Sequence, residues 1–138
     1  MTPDALLDLI ETNLQAACPN RLVTREGLDF AQRPQVDMRR GVITIIGMGL
    51  SDLKAPRAVE DIAGRLKLVL LGEIQLPEKA TGLEVEKAEW ALWEEIKAFT
   101  RAPGAGLCPL DALGVALSGQ IKKPYGFAAV ECEYAEID

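Results

Sequence analysis

Residues 64–76, GRLKLVLLGEIQL, restrict the fold more than any other part of the chain. Side chains of a strand alternate with period two, so Leu66, Leu68, Leu70, Ile74 and Leu76 share one face. Arg65, Lys67, Glu73 and Gln75 share the other, with Val69 and Leu71 as an apolar middle. A strand apolar on one side and half apolar on the other belongs inside a sheet, with helices on its leucine face. Pro77 ends it, because proline has no N–H to give to a ladder. This stretch is expected to be the central strand, buried and without chemistry of its own.

The rest of the chain supplies the covering layer. Thr2-Pro3-Asp4 is a helix start, with a hydroxyl cap, proline at the first position and an acid in the first turn. Leu6, Leu7, Leu9, Ile10, Leu14 and Ala17 form one stripe of a helix of about 15 residues that Pro19-Asn20 stops. Thr81 and Glu84 have capping-box spacing and open a second helix running to about Thr100. Its buried stripe is expected to be Val85, Ala88, Leu92, Trp93, Ile96 and Phe99, with Leu83 and Trp90 off it.

Three further stretches read as strands. Gly41–Leu50, GVITIIGMGL, is nearly continuous and β-branched, which suits burial on both faces. Leu113, Val115 and Leu117 alternate along another, Lys123-Pro124-Tyr125-Gly126 turns, and Ala128–Ile137 returns with Ala128, Val130, Cys132 and Tyr134 on one face. Residues 21–40 read equally as a hairpin, Leu22–Thr24 with Gly27–Phe30, or as a partly ordered loop. Ser51–Gly64 is expected to be a long mobile connection, and Ala102–Pro109 a flexible linker. The fold class that follows is α+β: one domain, 1–138, with a largely antiparallel sheet packed on one face by two helices.

Composition narrows function mainly by exclusion. The 138 residues contain no histidine, which removes Ser-His-Asp and Cys-His catalysis and the usual zinc sites. Cys18, Cys108 and Cys132 are odd in number and lack CxxC spacing. No P-loop occurs, and the glycines near Gly47 and Gly104 do not continue as a dinucleotide fingerprint. Glu94 and Glu95 project about 100° apart on a helix and do not converge. No cofactor and no enzymatic role are expected. An apolar fraction of 49%, no apolar run long enough to span a bilayer and an acidic N-terminus lead to a cytoplasmic expectation with no membrane partner.

The net charge of -6 opposes nucleic-acid binding. Residues 1–70 hold nine basic and nine acidic groups, whereas residues 71–138 hold six and twelve. Two unlike patches follow. One is basic, around Arg39, Arg40, Lys54 and Arg57; the other is the outer face of the second helix, with Glu86, Glu94 and the off-stripe Trp90. Unlike patches are what a head-to-tail interface requires, and these seven residues are the candidate interface between subunits.

The helix ALLDLIETNL, the strands GVITIIGMGL and GRLKLVLLGEIQ, the helix EVEKAEWALWEEIKAF and the ending AAVECEYAEI together resemble the bacteriophage tail terminators, of the lambda minor tail protein U-like and Mu-like groups. The resemblance covers nearly the whole chain as a pattern of elements, without an invariant motif, and residues 21–40 depart from it. It implies a homo-hexameric ring that caps the tail tube, stops its polymerisation and offers a docking surface to the head–tail connector protein. It implies the tube protein and the connector as partners, no catalytic residue, and a passage from host cytoplasm to virion tail. A phage, a prophage and a contractile bacteriocin fit it equally. Two other classes stay open: a small-ligand or regulatory binding module of ferredoxin-like α+β type, and an enzyme working through carboxylates and arginines.

Overall fold

The computed structural model of the protein describes residues 1–54 and 63–137. The chain order is α1 (Pro3–Ala17), β1 (Leu22–Thr24), a 3-10 turn (Phe30–Gln32), α2 (Gln35–Arg40), β2 (Val42–Lys54), β3 (Ala63–Gln75), α3 (Gly82–Arg101), β4 (Asp111–Leu117) and β5 (Tyr125–Ile137). The strands form one sheet in the order β1-β2-β3-β5-β4, with β3 in the middle. Only the β1–β2 pair is parallel; β2–β3, β3–β5 and β5–β4 are antiparallel. The architecture is α+β.

Both long helices begin where their caps place them. The Thr2 hydroxyl accepts from the Ala5 N–H at 3.1 Å, and the Thr81 hydroxyl from the Glu84 N–H at 3.2 Å. Leu6, Ile10 and Leu14 of α1 and Ile96 and Phe99 of α3 are buried against Ile43, Ile45, Leu66, Leu68, Leu70 and Val130. These six strand residues share one sheet face, as their registers require. Ala128, Cys132 and Tyr134 continue that face on β5 and are buried too. Close packing shows at Gly72, where an added Cβ would lie 3.3 Å from Leu92.

Several expectations change. On α1, Leu9 is half-buried and Ala17 exposed, while Cys18 just past the helix joins the core. On α3, Trp93 and Ala88 are only half-buried, and the fully buried polar residue Glu89 takes a core position. Ile74 and Leu76 are half-buried. Residues 21–40 form neither a hairpin nor a loose loop. Leu22–Thr24 pairs in parallel with Val42–Thr44, and the chain then crosses the far sheet face through the 3-10 turn and α2.

β2 is buried on both faces only from Val42 to Ile45; residues 47–50 are exposed. The ends of the expected long connection belong to strands, since β2 continues to Lys54 and β3 begins at Ala63. Residues 55–62, including Arg57, lie outside the described residues. The 102–109 linker is tied down. The Asn13 amide donates to the Pro103 and Ala105 carbonyls at 2.9 and 3.0 Å, and the Cys108 N–H donates to the Tyr134 hydroxyl at 3.0 Å. The last turn occupies residues 119–124, so Tyr125 and Gly126 already belong to β5.

Candidate functional site

With α1 and α3 on one sheet face, the other face divides into two halves. The half nearest β1 is covered by residues 26–40. Arg33, itself buried, donates through Nη2 to the Glu26 carbonyl at 2.8 Å and to the Thr44 hydroxyl at 3.3 Å. Phe30 stacks on Tyr125 with ring centres 4.5 Å apart. Burial raises the Glu73 carboxyl above its ordinary value, with Arg33 pulling it partly back. Val42 and Thr44 beneath this cover are buried.

Among the described residues, no segment covers the other half. Ile46, Val69, Leu71 and Ala129 are half-buried, and Ala116 is exposed, in one apolar band across four strands. Met48 at 61% exposure and Leu113 at 58% flank a groove of about 220 Å³ floored in part by Lys67, Val69 and Glu131. A second shallow groove of about 310 Å³ lies over Val69, Gly114, Ala116 and Ala129. At the far end the Arg65 guanidinium clamps three strands, with Nε donating to Glu133 at 2.7 Å and Nη2 to Asp111 at 2.9 Å. The Glu133 hydrogen bond is the main reason the Arg65 pKa is raised, and the guanidinium stays charged at any working pH.

Met48 and Leu113 were not legible as surface anchors. Both sit at irregularities of register, between Gly47 and Gly49 on β2 and between Ala112 and Gly114 on β4. A bulge adds one residue to a strand and breaks its alternation. Leu113 therefore leaves the face shared by Val115 and Leu117, contrary to the expected alternation. The available signal was the glycines, Gly47, Gly49 and Gly114, which mark bulges within strand patterns; Gly49 has φ +127°, a conformation that glycine adopts without strain.

The seven candidate interface residues fall in different surroundings. Arg39 and Arg40 are exposed at the end of α2, but Arg40 is engaged within the chain, with Nε donating to the Asn20 carbonyl at 3.1 Å and Nη2 to the Arg21 carbonyl at 2.9 Å. Arg21 in turn donates through Nη1 to the Arg40 carbonyl at 2.9 Å and through Nη2 to Glu95 of α3 at 2.6 Å. The basic end of α2 and the acidic middle of α3 are therefore joined through one side chain of the same subunit. Lys54 is the last residue of β2, and Arg57 lies outside the described residues.

Glu86 accepts from the Gln120 amide at 3.1 Å, and Glu94 pairs with Lys97 at 2.7 Å. Trp90 is 46% exposed, off the core stripe as its phase requires, on the same side of α3 as exposed Leu83. Ile121, 82% exposed, follows Gln120, whose side chain packs against Gly82 at the start of α3. A second apolar surface thus lies on the outside of the helix layer.

Among the described residues, no three acidic or cysteine side chains converge to hold a metal ion, and no helix is long and apolar enough to cross a membrane. Burial raises the thiol of Cys132 to about 12, so it is held protonated. Compared with known families and with curated proteins, the chain matches no family model and no curated sequence. What the geometry offers is surface: one open half of a sheet and one helix face with a tryptophan.

Proposed function

We propose that the protein is a structural component of a phage or phage-derived tail, a terminator that assembles as a hexameric ring on the tail tube. In this reading the ring stops tube growth and presents a docking surface to the head–tail connector. It forms in the host cytoplasm and ends in the virion tail. Its partners are further copies of itself, the tube protein and the connector, and it does no catalysis.

The observation that carries this reading is the bare half of the sheet. A two-layer α+β domain that works alone covers its apolar sheet residues, yet Ile46, Val69, Leu71 and Ala129 stay only half-buried between exposed Met48 and Leu113. Apolar surface left this way marks a site of association. The exposed Trp90 adds an anchor of the kind that concentrates interface energy. A small-ligand module would instead be expected to enclose its ligand in a pocket, and the grooves on this face lie open along the surface.

The test adds purified protein to polymerising tail tubes and images the tips. Tubes capped by closed rings and shorter than untreated tubes are the expected result, with capping weakened strongly by Trp90→Ala and moderately by salt, since exposed charge pairs contribute only about 0–1 kcal/mol each. Tubes that grow on with bare tips would overturn the reading.

A further inference from the structure

We infer that copies of this protein join by strand pairing, the open edge of β4 in one subunit adding to the free edge of β2 in the next, so that the sheet runs on from subunit to subunit. This rests on the proposed ring for its biological meaning and names the contact that would build it.

The sheet has two unsatisfied edges. On one side β1 pairs with β2 only at Val42, Ile43 and Thr44. From Ile45 onward, no strand among the described residues takes the outer edge of β2. On the other side β4 pairs with β5 alone, and all seven of its residues are exposed or half-buried. An open edge is a row of N–H and C=O groups ready to receive another strand. Proteins that keep such edges single protect them with bulges, which both edges carry here, and with lysine or proline. The β4 sequence DALGVAL contains neither, and residues 45–51 of β2, IIGMGLS, contain no charge at all.

The strand directions fit. β2–β3, β3–β5 and β5–β4 are three successive antiparallel pairs, so β4 runs opposite to β2. Rotating a second copy about an axis alongside the sheet keeps every strand direction, and the new junction between β4 and the next β2 is antiparallel. The two edges belong to different strands, which makes the contact heterologous. A heterologous contact repeated by rotation closes into a ring or runs on as a filament, and cannot stop at a symmetric dimer.

Register follows from two constraints. β1 blocks Val42–Thr44, and matching sheet faces allow only even shifts. The first register that lets Leu117 pair places it opposite Ile45, both on the helix face, with Ala116 opposite Ile46 on the open face. Val115 then meets Gly47, and Gly114 meets the Met48 bulge. The last three pairs each set a small residue against a larger one, and exposed Met48 gains cover from the neighbour's glycine.

Cysteine bridges across this register test it. In a Cys108→Ser background, which removes the exposed thiol, one chain carries Ile46→Cys and Ala116→Cys together. Within a subunit these edges are three strand spacings apart, about 14 Å, too far for a disulfide; between subunits they would face each other. Mild oxidation of the concentrated protein is expected to give a ladder of covalent multimers on non-reducing gels. The Leu50→Cys, Ala116→Cys pair, on opposite sheet faces, is expected to give none. Gly114→Lys, where an added Cβ meets nothing within 4 Å, is expected to keep the monomer's unfolding midpoint and lose assembly.

Equal cross-linking in the two cysteine pairs would overturn the edge contact, as would intact assemblies of Gly114→Lys. Rings capping tubes without the Ile46–Ala116 bridge would overturn this contact and leave the terminator reading standing. A specific ladder from protein that never caps a tube would support the contact and remove the terminator reading.

Discussion

Glu89 is the residue whose position most departs from its chemistry. It is fully buried on α3, and its Oε2 accepts from the Phe127 N–H at 2.8 Å and the Ser118 N–H at 3.2 Å. Those two amides flank the 119–124 turn, so one carboxyl pins both ends of the β4–β5 connection to the helix. Gly126 permits the approach, because a Cβ there would lie 2.8 Å from Val85 and 2.9 Å from Glu89. Glu89→Ala should lower stability by roughly 2–4 kcal/mol, by leaving buried donors unpaired and opening a cavity. Glu89→Gln retains an acceptor oxygen and should cost clearly less; urea unfolding of the two variants checks the order. Glu73 poses the opposite case. Its folded pKa is raised, chiefly by burial, so the fold holds its proton more tightly than the unfolded chain does. Stability from this group therefore falls as pH rises from its ordinary value of 4.5 through the folded value, and stays reduced above it. Glu73→Gln should be more stable than the parent at about pH 7 and lose that advantage at about pH 4, as read from denaturant midpoints.

At the scale of elements, the two capped helices and the β3 and β5 strands were legible because each keeps one period over most of its length. Thr2 and Thr81 start their helices, and Leu66, Leu68 and Leu70 keep strict alternation beneath them. Leu92 is the test of that packing. It is fully buried and sits on Gly72 of the central strand. Leu92→Ala should cost roughly 2–5 kcal/mol from lost transfer energy and cavity formation; a denaturant midpoint equal to the parent's would remove Leu92 from the core. The illegible elements are short or irregular. β1 has three residues and α2 six, too few for any period to declare itself. The bulges at Met48 and Leu113 invert the alternation midway, so a pattern extrapolated from either end of the strand places these two side chains wrongly.

For the molecule as a whole, the arrangement of layers governs what surface is left for partners. Among the described residues, two helices on one sheet face and a short covering segment on half of the other leave an apolar band and two open edges. The charged groups expected to orient subunits are partly engaged inside the subunit, since the Arg40 guanidinium donates to the Asn20 and Arg21 carbonyls, Glu94 pairs with Lys97 and Gln120 engages Glu86. Exposed ion pairs contribute little, so in the proposed ring their loss to internal contacts shifts the weight to backbone pairing and apolar anchors. The sequence alone determined the α+β class, the two long helices with their caps and the central strand, because caps and periodicity are local and act within a few residues. Tertiary structure decided the burial of Glu89, the parallel docking of β1, the internal use of the arginines and the exposure of Met48 and Leu113. Each of these depends on what a distant segment places opposite a residue, and no local period records that.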